Sequence, residues 1–556
     1  MRIAVIGGYG VFGGRLCQLL RRDGHEVLVV GRNPGKARAF AARHGGIPVA
    51  LDLSDDLSAL FDATPDVVVD AAGPFQLYGN DPYRLPRACI ENGVHYLDLA
   101  DDARYVAGIV ALDSDARAAG VIVLSGVSSV PALSSAAVRA LAAPLSRLDL
   151  ISTFILPGNR APRGRSVLNA ILSQVGEPME LWRGGVYRLY RGWSQTETVE
   201  LLPDLTRRAS IIGAPDLLLF PDCFGVRSVL FRAGLELSIL HRGLEVLSWL
   251  RGMSLIGPLK RWTSLLLWLA NLVEGFGSDR GGMTVRVVGA QDGEHKIATW
   301  TLVADAGEGP FVPAVPARAI IARIASIPVG ARPCLAELTL SDFEAAVSDL
   351  KITTTASVSD HPTLFRAALG DLWHELPPAV RRMHSVQDIE SFSGRAEVTR
   401  GTSILARLAA AFFRFPKAGT DVPLTITKSR TSSGETWERN FAGRVFRSYL
   451  TPSGPGRYKE RFWLFNYEQD LPVLNATLHL PVRRGWFAGI PLPRFLLPAS
   501  RSREFAVDGQ FRFDVGLHAP LGGGLIVRYQ GWVEPDAADP SPASTKSRRE
   551  SVSRLP

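Results

Sequence analysis

Short runs of Val, Ile and Leu alternate with helical stretches over the first 130 residues, the rhythm of βαβ units that build a parallel sheet. The runs fall at 2–6, 26–30, 48–51, 67–70, 95–98 and 121–125. From about 150 the pattern changes. Strand-like 149–156, 283–289 and 297–303 surround a long apolar region at 229–275 and predict a second α/β domain that supplies the substrate side. A helical stretch at 363–384 then opens a region of short alternating strands at 395–399, 423–429, 441–448 and 525–533, punctuated by Gly and Pro, which predicts a mostly antiparallel β domain. After Glu534 the chain lacks an apolar run to bury and is expected to be disordered. The expected fold is α/β: an N-terminal Rossmann domain at 1–135, a second α/β substrate domain at 136–350, a mostly antiparallel β domain at 361–534 and a tail at 535–556.

The apolar region carries Trp249, Leu250, Trp262, Leu265, Leu266, Leu267, Trp268 and Leu269, interrupted by Arg251, Lys260, Arg261 and Glu274. No unbroken stretch approaches the ~20 apolar residues that span a bilayer. Two readings remain: a helical pair packed under the sheet or in a homodimer interface, and a helix lying in the membrane interface as a peripheral contact.

A chain of 556 residues is too long for one core, so two or three domains are expected. The net charge of +8 points to an anionic partner. Its basic residues are scattered rather than striped and interleaved with aromatics, which argues against nucleic acid. Cys17, Cys89, Cys223 and Cys334 are far apart and form no C-x-x-C pair, which excludes a zinc ribbon and a disulfide framework and fits a cytoplasmic protein. Met1 leads directly into an apolar strand, so no secretory leader is expected. H-E-x-x-H, a metal-spaced His/Cys set and G-x-S-x-G are all missing, so no metal is expected.

The strongest motif is Gly7-Gly8-Tyr9-Gly10-Val11-Phe12-Gly13, directly after the first strand and before the helical Arg15–Leu20. Glycine lets the backbone turn sharply, approach a pyrophosphate closely and pack helix on strand. The helix N-terminus then offers free N–H groups to phosphate. The second strand ends in Gly31-Arg32-Asn33-Pro34-Gly35-Lys36, with no carboxylate for a free ribose hydroxyl and with Arg32 and Lys36 placed for a 2′-phosphate. NADP is therefore the expected cofactor.

Three separated segments, Gly7–Gly13, Asp70-Ala71-Ala72-Gly73-Pro74-Phe75 and Cys89-Ile90-Glu91-Asn92-Gly93-Val94-His95-Tyr96-Leu97-Asp98, resemble the saccharopine dehydrogenase-like NADP-binding family over roughly residues 1–345. The resemblance implies hydride transfer, a middle substrate and dimerisation domain, and a loop at Ala72, Gly73, Pro74 and Phe75 beside the nicotinamide ribose. The family includes imine reductases of amino acids and enoyl reductases of lipid-like chains. Its H-Y-x-D strand normally continues into Thr-Gly-Glu; here it runs into Leu99-Ala100-Asp101-Asp102, with Asp98 as a candidate substrate contact. Gly394-Arg395-Ala396, Glu435-Thr436-Trp437-Glu438-Arg439 and Gly489-Ile490-Pro491-Leu492-Pro493 are similar to a domain of unknown function fused behind such reductases.

A hydride acceptor must be positioned and protonated. Tyr78 and Tyr96 are the candidate proton donors by location, each balanced against a packed ring with a satisfied hydroxyl. Ser128 and Ser129, after the sixth strand, either contact nicotinamide or substrate or cap the next helix. None of the eleven tyrosines has Lys four positions on, which disfavours a short-chain dehydrogenase mechanism. Trp437, Glu438 and Arg439 read as a strand with a surface salt bridge. The expected function is an NADP(H)-dependent oxidoreductase reducing a C=N, C=O or C=C bond of a small or lipid-like substrate. The alternative is a non-catalytic nucleotide-sensing or lipid-binding scaffold.

Overall fold

Residue alternation along the first strands buries both faces of a sheet. In β1 (Arg2–Ile6), Ile3 and Val5 join the core that holds Leu16, Leu19 and Leu20, whereas Ala4 and Ile6 join the core that holds Leu60, Leu85 and Cys89. The computed structural model describes residues 1–161, 165–257, 259–273 and 275–536. After β1 come α1 (Val11–Arg22), β2 (Glu26–Gly31), α2 (Pro34–His44), β3 (Ile47–Ala50), α3 (Ser58–Asp62), β4 (Val67–Asp70), α4 (Arg84–Glu91), β5 (His95–Asp98), α5 (Ala103–Gly108), α6 (Asp113–Ala118) and β6 (Ile122–Ser125). The expected tail lies, beyond Asp536, outside the described residues.

The middle region contains α7 (Ser134–Ala142), β7 (Arg147–Leu156), α8 (Arg165–Gln174), β8 (Pro178–Arg183), β9 (Val186–Arg191), β10 (Glu197–Leu202), β11 (Leu205–Ile211), α9 (Pro215–Phe224), β12 (Val229–Leu235), α10 (Ser238–Gly252), α11 (Thr263–Leu272), β13 (Gly281–Gln291), β14 (Glu294–Ala304), α12 (Val315–Ala322), β15 (Gly330–Pro333), α13 (Leu340–Ala346) and β16 (Ile352–Asp360). The first sheet has the order β15-β6-β5-β4-β1-β2-β3, with every neighbouring pair parallel. Strand order reverses between β1 and β4, the place where open α/β sheets bind ligands. The chain thus returns to this sheet at β15 before adding the last strand, β16, to a second, mixed sheet, β10-β11-β12-β7-β13-β14-β16. One continuous core joins the two sheets, from Val5 and Leu97 to Val285, Trp300 and Phe343.

The last region runs α14 (Leu364–Leu369), α15 (Pro378–Met383), β17 (Ile389–Arg400), α16 (Ile404–Phe412), β18 (Gly419–Thr431), β19 (Gly434–Phe441), β20 (Arg444–Pro452), β21 (Arg457–Phe462), β22 (Phe465–Asp470), β23 (Val473–Leu474), β24 (Thr477–His479), β25 (Val482–Phe487), β26 (Ile490–Pro491), β27 (Ala499–Val507), β28 (Gln510–His518) and β29 (Leu525–Pro535). Its strands form one 13-stranded antiparallel sheet over a separate core. Two expectations change here. The strand read at 441–448 is a hairpin, because Ala442 and Gly443 take positive φ and reverse the chain between β19 and β20. The helical stretch 363–384 breaks at Gly370, where φ is +55°, and restarts at Pro378. A buried pair ties this region to the middle one: Arg183 Nε donates to Asp388 Oδ2 at 2.9 Å, and its Nη2 pairs with Oδ1.

Candidate functional site

The turn between β1 and α1 is shaped by contacts that only glycine permits. Gly7 has φ +72°, and a Cβ there would lie 2.9 Å from the Ala71 carbonyl oxygen. At Gly13 a Cβ would lie 2.4 Å from the Gly7 oxygen, so this glycine sets the approach of α1 to the turn. Gly10 differs: its Cβ would meet Gly7 O at 3.0 Å and is otherwise open. Gly10 caps α1 without a side-chain bond, and the first turn holds no acidic residue. The Gly8 and Gly10 N–H groups donate to the Val30 and Gly7 carbonyls at 3.0 and 2.7 Å, so the first turn of α1 is the part that can offer N–H groups to a dinucleotide pyrophosphate.

Tyr9 crosses to the end of β2. Its hydroxyl accepts from the Asn33 backbone N–H at 3.0 Å, and its ring occupies the space a Cβ on Gly31 would need, 2.4 Å away. Asn33 in turn accepts from Lys36 N and caps α2. Arg32 and Lys36 are exposed, with no side-chain hydrogen bond or ion pair among the described residues. The Asp52 carboxyl lies below its ordinary range, held chiefly by hydrogen bonds from Ser54, with Arg32 adding a smaller attraction. Two free cations and no acid on the Gly31–Lys36 turn suit a 2′-phosphate.

The carboxyl ends of β4 and β5 set Asp70 beside Asp98 in register. Asp70 is buried and accepts from Ala72 N at 2.9 Å and from the Tyr78 hydroxyl at 2.9 Å; burial lifts its carboxyl from 3.8 to about 6. Asp98 Oδ1 accepts from Gly126 N, Ala100 N and Ser125 Oγ at 2.7, 3.0 and 3.0 Å. Its Oδ2 is buried without a partner among the described residues, and burial lifts the carboxyl to about 7 against those three bonds, with Asp70 adding a smaller push. Burial, then Asp70, raises the half-buried Tyr78 phenol well above its ordinary value.

Tyr96 sits on β5 with no exposed surface, its hydroxyl 3.1 Å from that of Tyr105. Tyr105 packs against Phe75, with ring centroids 5.0 Å apart, and edge-on to Tyr78 at 6.0 Å. The turn thus packs Phe75 and Tyr78 against Tyr105, while Ala72, Gly73 and Pro74 remain at the surface or partly exposed. The sequence pointed to Asp70 only within the turn motif, with no role of its own, and did not single out Tyr105. The signal for Asp70 was present, a lone acid ending the apolar run Val67-Val68-Val69.

Ser128 is buried, and its hydroxyl donates to the Pro313 carbonyl at 3.0 Å; it makes no side-chain cap. Ser129 lines an apolar chamber of about 490 Å³. Val11 and Phe12 form one wall of this chamber, α8 and α10 supply Ile171 and Leu244, and Met283 and Leu302 close it from the second sheet. Among the described residues that line it, charge is limited to Arg160, Glu236 and Asp279. The apolar region read at 229–275 therefore turns one side of α10 inward, while Ile239, Val246, Trp249, Trp268 and Leu272 of α10 and α11 are exposed. No described helix is long and apolar enough to cross a membrane. No described group of His, Cys, Asp or Glu side chains has the arrangement to hold a metal ion.

Residues 3–124 match the family model described as Saccharopine dehydrogenase NADP binding domain. The first domain is of the saccharopine dehydrogenase NADP-binding type. Residues 376–533 match the model described as a domain of unknown function, DUF4166. Saccharopine dehydrogenase (L-Glu forming) from Saccharomyces cerevisiae is similar at 14% identity over 64% of this chain and 99% of that one, with a TM-score of 0.47. A probable dehydrogenase from Thermotoga maritima is similar at 11% identity over 62% of this chain and 93% of that one, with a TM-score of 0.32. No curated protein matches the chain.

Proposed function

We propose that the chain is an NADP(H)-dependent oxidoreductase that reduces a C=N, C=O or C=C bond of a lipid-like substrate held in the chamber beside α1. The observation that carries this reading is the start of α1, where the open Gly10 cradle adjoins Val11 and Phe12, which wall the apolar chamber. Bound NADPH would supply the hydride, and the protein's part is to orient the acceptor and manage a proton. Tyr78 is favoured over Tyr96 as proton donor because it is partly exposed and stays protonated, whereas the Tyr96 hydroxyl is sealed against Tyr105. The exposed tryptophans and aliphatic side chains of α10 and α11 support peripheral contact with a membrane surface, from which an apolar substrate would reach the chamber.

Loss of reduced-nicotinamide absorbance, followed with imine, ketone and 2-enoyl acceptors of increasing chain length, tests the proposal. It predicts turnover that improves with chain length. Faster reduction of short polar acceptors would overturn the substrate class, and tight NADPH binding with no turnover on any acceptor would favour the nucleotide-sensing or lipid-binding scaffold.

A further inference from the structure

The C-terminal sheet encloses a second cavity, separate from the chamber beside α1, of about 270 Å³. Leu424, Phe446, Phe511, Phe513 and Ile526 line it from the strands, and Ala409 and Phe413 cover it from α16 and the residue that follows. Natural cores leave few voids larger than a water molecule, whose share of liquid volume is ~30 Å³, and a void costs stability in proportion to its volume. This space is several times larger and mostly apolar, the type of cavity that stays dry and accepts apolar molecules.

The helix over it is built unusually. Ala406 and Ala410 face inward and are buried, whereas Ile404, Leu405, Leu408 and Phe412 are 54–76% exposed. Of the small residues on α16, Ala409 lines the cavity, and the large apolar ones outside make a greasy rim. Phe412 extends that rim to the exposed Trp463, with ring centroids 5.6 Å apart. The sequence reading of Trp437, Glu438 and Arg439 needs correcting here: Glu438 makes the surface pair, with Arg447, but Trp437 and Arg439 face into the cavity.

Polar groups collect at one part of the lining, and they are already matched to one another. Arg439 donates to Ser448 Oγ at 2.9 Å and pairs with Glu460 at 3.4 Å; Glu460 also accepts from Gln469 at 2.8 Å. Glu504 pairs with His384 at 2.5 Å, and behind them Lys428 donates to the Met383 carbonyl at 2.6 Å. A carboxylate or phosphate entering here would face Glu460 and Glu504, with no unpaired cation among the described lining residues to receive it. A hydroxyl, ketone or ester would find donors and acceptors without leaving an unpaired buried charge.

We propose that the C-terminal domain is a binding site for an uncharged, chain-like apolar molecule bearing one hydrogen-bonding group, entering beneath α16. The cavity, the inverted helix and the paired ions carry this proposal independently of the reductase reading.

The test is fluorescence titration of the full-length protein with the uncharged probe N-phenyl-1-naphthylamine. Saturable binding is expected in the wild type and in Gly243→Phe, which fills the other chamber at a position where an added Cβ meets nothing within 4 Å. Ala409→Trp, which fills the cavity beneath α16, should weaken binding by about tenfold or more. Hydrogen exchange on the wild-type protein supplies a readout that needs no variant: the probe should slow exchange at 404–413 and 444–462, whether or not it also protects 238–252 in the other chamber. Hexadecanol should displace the probe, and hexadecanoate should do so at least about tenfold less well. No saturable binding, protection confined to 238–272, or loss in Gly243→Phe with Ala409→Trp unaffected would overturn the site. Equal displacement by the acid and the alcohol would overturn its preference for uncharged ligands.

Discussion

Replacing Asp98 with Asn should change how stability depends on pH, because this carboxyl gives the folded state a proton that the unfolded chain does not hold. Its ordinary value is 3.8 and burial raises it to about 7 in the fold. A folded value above the unfolded one means that the native state binds the proton more tightly. Its contribution is therefore full at low pH and is lost as pH rises from about 4 through about 7. At 1.36 kcal/mol per pKa unit the whole penalty on the ionised form is ~4 kcal/mol, and roughly 2 kcal/mol of it falls between about pH 5.5 and about pH 8.5. Asparagine keeps an oxygen for Gly126, Ala100 and Ser125 but places an amide where Oδ2 has no partner among the described residues. That buried amide costs about 1–3 kcal/mol at every pH. Urea unfolding followed by circular dichroism should therefore show Asp98→Asn less stable than wild type at low pH, with the gap closing by ~2 kcal/mol toward high pH. Parallel curves for the two proteins would refute an elevated Asp98.

Arg32→Ala should weaken NADPH by about tenfold and leave NADH unchanged, because an exposed, unpaired guanidinium on a phosphate is worth ~1.5 kcal/mol; competitive binding of the two cofactors checks this. Arg183→Ala strips the partner from buried Asp388 and should cost about 3–5 kcal/mol, whereas Arg183→Met with Asp388→Leu should recover most of the loss. Denaturant unfolding of the single and double variants measures both effects.

The first sheet was legible because strands buried on both faces read as unbroken apolar runs, and the Gly7–Gly13 turn sits where those runs require a sharp entry into a helix. Its edge strand β15 was not legible. Gly330-Ala331-Arg332-Pro333 has no apolar run, and tertiary contacts place it: pairing with β6, and Asp113 Oδ1 accepting from Ala331 N at 2.8 Å. The hairpin at Ala442-Gly443 was hidden because alanine is not a turn residue, although here it takes φ +48°. In the site, the cradle and the Arg32 turn follow from local sequence, whereas the Asp70–Asp98 pair, the packing around Tyr105 and the chamber depend on elements that the chain brings together from afar. The inward direction of Trp437 and Arg439 depends on strand register, which residue type alone does not specify.

Calorimetric titration of NADPH into the wild-type protein and Gly10→Val tests the central claim most directly. A Cβ at Gly10 meets protein only at the Gly7 oxygen, 3.0 Å away, so the added bulk projects into the space reserved for the pyrophosphate. The account predicts saturable NADPH binding by the wild type and its loss in Gly10→Val while the variant stays folded, with a cooperative thermal transition. Equal NADPH affinity in the two proteins would contradict it.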